Sequence, residues 1–219
     1  MNIAEIITAE IKASLTKAGL LLFMAGFLIF MGIITGEIFY PLEYSTRNNY
    51  ISELAASIPP STLVPEPSGT IFNVSMIFAG LMIMLAGYYV QVIFKKYTAT
   101  IPLGLFGLGI LGVGVFPGYM VPWHGIFALI VFISGGAGAI LSARIVKPPL
   151  RYIFIFFGII ALTLTVFSKF TNPYLGVGGS ERWLIYPIVF WITGLGTYLL
   201  GIKDEYQHNL RIKKNENIV

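Results

Sequence analysis

Residues 97–143 read YTATIPLGLFGLGILGVGVFPGYMVPWHGIFALIVFISGGAGAILSA, 47 positions between Lys96 and Arg144 without one charged side chain. A helix needs about 20 apolar residues to cross the hydrocarbon core of a bilayer. This stretch is therefore long enough for two crossings. Its middle, Phe116-Pro117-Gly118-Tyr119-Met120-Val121-Pro122, supplies the turn, because two prolines and a glycine interrupt helix geometry there.

The same reading extends outward in both directions. Uncharged runs of 19, 28, 17 and 20 residues lie between Lys17 and Glu37, Glu66 and Lys95, Arg151 and Lys169, and Arg182 and Lys203. The predicted fold class is all-α: a polytopic bundle of six transmembrane helices at about 18–38, 70–94, 100–117, 123–143, 151–169 and 184–202. A β-barrel would also satisfy its backbone in lipid, but its strands would alternate apolar and polar residues, and these runs do not.

Composition agrees. Of the 219 residues 56% are hydrophobic and 11% charged, against roughly 25% charged in soluble domains, which argues against a soluble or disordered chain. There is no cysteine, and the two histidines, His124 and His208, fall on opposite predicted sides. Disulfides, thiol catalysis and a bis-histidine haem are excluded, and neither a cofactor nor a metal is expected.

With the N-terminus inside, the inner segments hold Lys12, Lys17, Lys95, Lys96, Arg144, Lys147, Arg151, Lys203, Arg211, Lys213 and Lys214, and the outer ones only Arg47, Lys169 and Arg182. This bias predicts a multi-pass protein of the cell membrane with both termini cytoplasmic, in three hairpins whose turns lie outside. The net charge of +4 is then a topology signal, and no basic groove for nucleic acid is visible. Residues 1–17 carry Ile3, Ile6, Ile7, Ile11 and Leu15 at helical spacing and acids where a signal peptide is basic, so an uncleaved amphipathic cytoplasmic segment is expected. Residues 203–219 form a cytoplasmic tail. Small residues at four-residue spacing in the third, fourth and sixth predicted helices (Gly114/Gly118, Ser134/Gly138/Ser142, Thr193/Thr197/Gly201) predict that these three form the tight centre.

The long outer loop 38–70 is expected to be a lid or re-entrant segment, with Asn49 capping a short helix from Tyr50 to about Ala56. Polar residues of all three hairpins gather at that end, and ionisable groups at membrane depth tend to mark function. Catalytic candidates are Ser52, Glu53, His124 and Glu181. Binding candidates are Arg47, Asn48, Glu66, Asn73, Lys169, Arg182 and Tyr186. His124, in Val121-Pro122-Trp123-His124-Gly125, is either a general base or a residue bonding a loop carbonyl. Ser180 is expected to cap the sixth helix after the glycine loop Gly176-Val177-Gly178-Gly179. Arg182 is expected to pair with Glu53 or Glu66 or to bind a phosphate or carboxylate headgroup.

Arg47-Asn48-Asn49-Tyr50-Ile51-Ser52-Glu53-Leu54, Ile71-Phe72-Asn73, Gly114-Val115-Phe116-Pro117, His124-Gly125 and Glu181-Arg182 occur in the order found in a prokaryotic and archaeal six-helix membrane family, the domain of unknown function nine-nine-eight type, which the chain resembles over nearly its whole length. Ile51-Ser52, Pro65-Glu66 and Ile71-Phe72 are distantly similar to the DRAM-like hexahelical group, whose members are tied to lipid remodelling. The resemblance implies a fold rather than a reaction. The expected function is a lipid- or partner-binding membrane protein with a polar site at the outer end. Its partners would be membrane lipids, other membrane proteins or further copies of itself. The alternative is a membrane-embedded hydrolase or transferase acting on a lipid or lipid-linked substrate at the outer leaflet. Solute transport ranks last, because the span centres hold no charge.

Overall fold

A computed structural model describes residues 3–41, 43–56 and 63–216, and side chains over 9–41, 43–56 and 63–203. Of the long loop, residues 57–62, with the apolar Ile58 and the Pro59-Pro60 pair, lie outside the described residues. Among the described residues the chain is helical and holds no strand. Five α-helices, α1 (Ile3–Ile38), α2 (Ser68–Phe94), α3 (Tyr97–Val115), α4 (Trp123–Leu141) and α5 (Leu150–Glu216), are joined by two short 3-10 helices at Ile51–Leu54 and Ser142–Arg144. All five are long and apolar enough to cross a membrane. Large apolar side chains such as Phe27, Phe78, Leu105, Leu129 and Phe156 face outward. A soluble domain avoids so broad an apolar exterior, and lipid tails cover it.

Local chemistry explains the ends. α2 stops at Lys95, whose φ of 52° is left-handed and whose N–H bonds the Gln91 carbonyl at 2.9 Å. α3 stops where Pro117 follows Phe116, and α4 starts directly after Pro122. The turn read from Pro117 and Pro122 is thus where the structure has it. α1 is longer than its predicted span, running unbroken from Ile3.

The segment 170–183 departs from expectation. It was expected to be a loop, yet it is helical within α5 on both sides of Gly176, the one residue with non-helical angles (φ 75°, ψ 168°). Glycine is required there twice over. Its φ is open only to glycine at low cost, and a Cβ would collide with the Arg47 carbonyl. Ser180 therefore caps nothing; its Oγ shares a 2.8 Å hydrogen bond with the Thr171 Oγ1. Other contacts also link the two arms of α5. The Phe157 and Phe190 rings lie 6.4 Å apart, and Gly194 backs onto the Phe154 ring.

Each helix packs on the next, and α5 returns to α1, so the helices form a closed ring. In lipid the force between helices is close packing rather than water exclusion, and small residues let backbones approach. Close approaches include Gly80 with Gly107 (α2–α3), Gly109 with Val131 (α3–α4), Gly136 with Gly158 (α4–α5) and Gly19 with Gly196 (α1–α5), where an added Cβ would come within about 3 Å of the partner's backbone on at least one side. These seams are spread around the ring. The third, fourth and sixth predicted helices do pack on one another: a Cβ added at Gly109 would meet the Val131 backbone at 2.9 Å, one at Gly135 would meet the Ile188 and Phe106 side chains, and Gly138 backs onto the fully buried Trp191, whose Nε1 donates to the Ser142 hydroxyl at 3.0 Å. The close seams extend beyond these three, since Gly114 faces α2 and Thr193 faces Gly26 of α1.

A side chain at Gly80 would meet the backbone of Leu111 and Gly107 at 2.5 and 2.7 Å, and backbone cannot yield as a side-chain tip does. Gly80→Val should destabilise the protein by about 1–3 kcal/mol or more through overpacking, read as an earlier thermal unfolding in detergent. Gly104→Ala, with nothing within 4 Å, should unfold no earlier than the parent.

Candidate functional site

The end of the bundle that carries the last turn of α1, residues 43–56 and Gly176 is built around one cation. Arg182, on α5, is 8% exposed. Its Nη1 donates to the carbonyls of Thr46 (2.9 Å), Gly178 (3.0 Å) and Asn49 (3.2 Å). Its Nη2 donates to Glu37 Oε1 at 2.5 Å and to the Tyr44 hydroxyl at 2.8 Å. A planar fork with five donors suits this position, whereas a lysine ammonium could not reach both groups of acceptors. The pairing corrects the expectation. Arg182 binds Glu37, not Glu53 or Glu66, and its terminal nitrogens are occupied by the protein itself.

The loop is stitched down from several sides. Tyr44 passes the chain of bonds on, donating its hydroxyl to the Tyr50 carbonyl at 3.0 Å. Burial pushes the Tyr44 phenol above its usual range, so it keeps the proton it donates. Glu181, beside Arg182, accepts the Ile51 N–H at 2.5 Å. Glu53 accepts the Tyr50 N–H at 2.7 Å and the Asn49 side-chain amide at 2.8 Å. Asn49 was expected to cap a helix to Ala56. Instead Glu53 caps from within, and the element is one 3-10 turn, Ile51–Leu54. Below it, Ser68 donates its hydroxyl to the Leu54 carbonyl at 2.9 Å. Gly178 and Gly179 donate their N–H groups to the Arg47 carbonyl at 3.0 and 3.3 Å.

Two hollows result. The first is a cavity of about 50 Å³ inside the ring, under the 3-10 turn, lined by residues of all five helices. Its walls are apolar (Ile29, Ile33, Phe72, Met76, Ile110, Val131, Ile185 and Val189 among them), and its polar groups are Ser52, His124 and Glu181. His124 Nδ1 lies 2.8 Å from the Phe116 carbonyl. A carbonyl only accepts, so Nδ1 carries the proton, and in the neutral ring the lone pair is on Nε2. The loop-carbonyl bond anticipated for His124 is therefore present, and the same residue lines the cavity. The second hollow is a groove of about 590 Å³ on the flank of α5. Phe156, Phe157, Trp183, Tyr186 and Phe190 line its length, and Thr46, Arg47 and Arg182 lie on its wall.

The remaining candidates lie apart. Glu66 is exposed and accepts the Thr70 N–H (3.2 Å) and hydroxyl (3.0 Å) in the first turn of α2. Asn48 is exposed in a turn, with its N–H on the Ser45 carbonyl at 3.0 Å, and Lys169 is exposed on α5. The Asn73 carbonyl meets Gly114 across the α2–α3 seam, and among the described residues the buried Asn73 Oδ1 has no hydrogen-bond partner. Among the described residues no group of three or more metal-ligating side chains gathers. Tyr44 and the carbonyls of Thr46, Asn49 and Gly178 escaped sequence reasoning. Carbonyls leave no trace in a sequence, but Tyr44 stood among the loop's apolar residues as the one six positions before Tyr50.

Fold and site together define a multi-pass helical membrane protein with residues 43–56 packed over one end of the bundle. The sequence profile of the family described as Protein of unknown function (DUF998) matches residues 23–198, and the chain belongs to that family. No curated protein and no solved structure matches it.

Breaking a buried ion pair from one side leaves an uncompensated charge and costs about 3–5 kcal/mol. Arg182→Met and Glu37→Leu should each lower the unfolding temperature sharply, and the double variant should recover part of the loss, because no buried charge is then left over. Purely additive effects in that cycle would show that the pair does not act as a unit.

Proposed function

We propose that the protein binds membrane lipid at the loop end of the bundle, with that end extracytoplasmic and both termini in the cytoplasm of a cell-membrane protein. We also propose six spans rather than five. The contacts of Phe154 with Gly194, Phe157 with Phe190 and Thr171 with Ser180 support a fold-back of α5 at Gly176, so that its two arms cross separately as a third hairpin.

The observation that carries lipid binding is the groove on α5. It has the shape of an amphiphile site, with aromatic walls for an acyl chain and Arg47 for a headgroup. Its volume of about 590 Å³ falls in the range of small-molecule sites. Arg47 is exposed and spends one nitrogen on a 3.4 Å bond to the Tyr174 carbonyl, so most of its donors are free for a phosphate. Arg182 fixes the loop that presents Arg47 and is not itself the headgroup ligand.

Native mass spectrometry of gently purified protein should find co-purifying lipid. Arg47→Gln should lower retention of anionic lipid about five-fold, the equivalent of one cation near a membrane surface, and Phe190→Ala should shorten residence of any lipid class. Lipid in proportion to bulk composition, unchanged by either variant, would refute the site. The orientation has its own readout. The chain has no cysteine, so Glu43→Cys in intact cells should be labelled by an impermeant thiol reagent; labelling only after lysis reverses the topology.

One observation favours a second reading, a hydrolase or transferase acting on a lipid or lipid-linked substrate: Ser52, His124 and Glu181 share the internal cavity, with His124 Nε2 as the available base. At about 50 Å³ the cavity takes a few water molecules and no acyl chain, so this reading requires the 3-10 turn to lift. Under it, Ser52→Ala and His124→Gln each reduce release of product from phospholipid vesicles by 100-fold or more, on the order of a lost catalytic base. Equal rates in parent and variants exclude it.

A further inference from the structure

Four cations at the opposite end of the bundle are not used by the loop-end site. α2 gives way to α3 at Lys95 and Lys96, and Arg144 and Arg151 flank the connection from α4 to α5. These two connections are about 50 residues apart in sequence, yet Lys95, Lys96, Tyr97, Thr98, Arg144 and Arg151 line one open hollow of about 670 Å³. Among the described residues no acidic side chain lines it, and none of the four cations forms an ion pair. The tendency of basic residues to remain on one side of a membrane accounts for cations at this end. It does not account for their gathering in one hollow, where like charges repel unless an anion sits between them.

Four features of the backbone and side chains point the same way. Lys95 has a φ of 52°, the left-handed position after a helix that glycine normally fills. Keeping a lysine there accepts strain in exchange for a charge at a fixed place, and such outliers concentrate at binding sites. Tyr97 and Thr98 open α3, where first-turn N–H groups have no acceptor within the helix and favour an anion. Arg151 donates Nε to the Val146 carbonyl at 2.9 Å, which holds the guanidinium in place and leaves both terminal nitrogens for a ligand. Tyr97, which lines the hollow, is 67% exposed, as aromatic residues at headgroup depth are.

We propose that this hollow is a second binding site, for a phosphate-bearing group of at least two negative charges, presented as the headgroup of an anionic phospholipid. Basic pockets between membrane helices recognise such headgroups by charge and by the donors they converge. The site is separate from the groove on α5 and does not depend on it.

The test uses the full chain in phosphatidylcholine nanodiscs doped with a dianionic, two-phosphate lipid or with a monoanionic lipid at equal total charge, with pyrophosphate as the soluble competitor. Retained lipid is counted by native mass spectrometry. The parent should retain the two-phosphate lipid preferentially. Lys95→Gly should lower that retention about five-fold while unfolding no earlier than the parent, since glycine relieves the backbone. A merely structural lysine would not give that combination. Lys96→Gln/Arg144→Gln should lower it about 25-fold, two such steps, and by the same factor when both proteins are measured in an Arg47→Gln background, which separates this site from the loop-end site. Displacement by pyrophosphate at concentrations comparable to the lipid would overturn the headgroup as ligand and assign a soluble phosphate. Equal retention by parent, Lys95→Gly and the double variant would overturn the site.

Discussion

The guanidinium of Arg182 closes the ring. It lies on the last helix, its ionic partner Glu37 ends the first, and three of its other acceptors belong to the loop between the first and second. In a low-dielectric interior this arrangement is strongly constrained, because any missing partner leaves a buried charge or dipole unpaired. The loop therefore has one place to lie, with Ile51 and Ser52 over the internal cavity and Arg47 beside the groove on α5. Both hollows at this end follow from the same contact.

The two ends of the bundle solve opposite problems. At the loop end the buried charges are spent inside the protein: Arg182 on Glu37, Glu53 on its own turn, Glu181 on the Ile51 N–H. Such internal satisfaction makes an ordered cover out of backbone that could not otherwise lie at membrane depth. At the basic end the cations converge with no acid between them among the described residues. Spent charge there would be a scaffold, and unspent charge is an invitation to an anion.

How much of this was legible in the sequence can be argued from particular residues. The turn between α3 and α4 was readable because proline acts locally: Pro117 and Pro122 stop and start helices whatever surrounds them. The stretch 170–183 was not, since Gly178, Gly179 and Ser180 are loop-forming residues that tertiary contact holds in helical form, leaving Gly176 alone to break. Arg182 could be singled out as a cation breaking the charge pattern, but not its partner. Glu37, Glu53 and Glu66 were equally available in sequence, and the choice among them depends on how α1 and α5 align along the Gly19–Gly196 and Gly26–Thr193 contacts.

The sequence by itself therefore determined the class. Uncharged runs of span length that do not alternate apolar with polar residues fit helices rather than barrel strands in lipid, and in a helix each backbone N–H finds its acceptor within its own segment. The tertiary structure alone decided which small residues meet, that the ring closes between α5 and α1, and that Ser52, His124 and Glu181 reach one cavity while Glu66 and Lys169 do not. The physical reason is range. Helix formation in a membrane is a local property of composition, whereas an ion pair, a carbonyl-lined cation or a shared hollow depends on groups more than 100 residues apart and on backbone atoms that every sequence has in common.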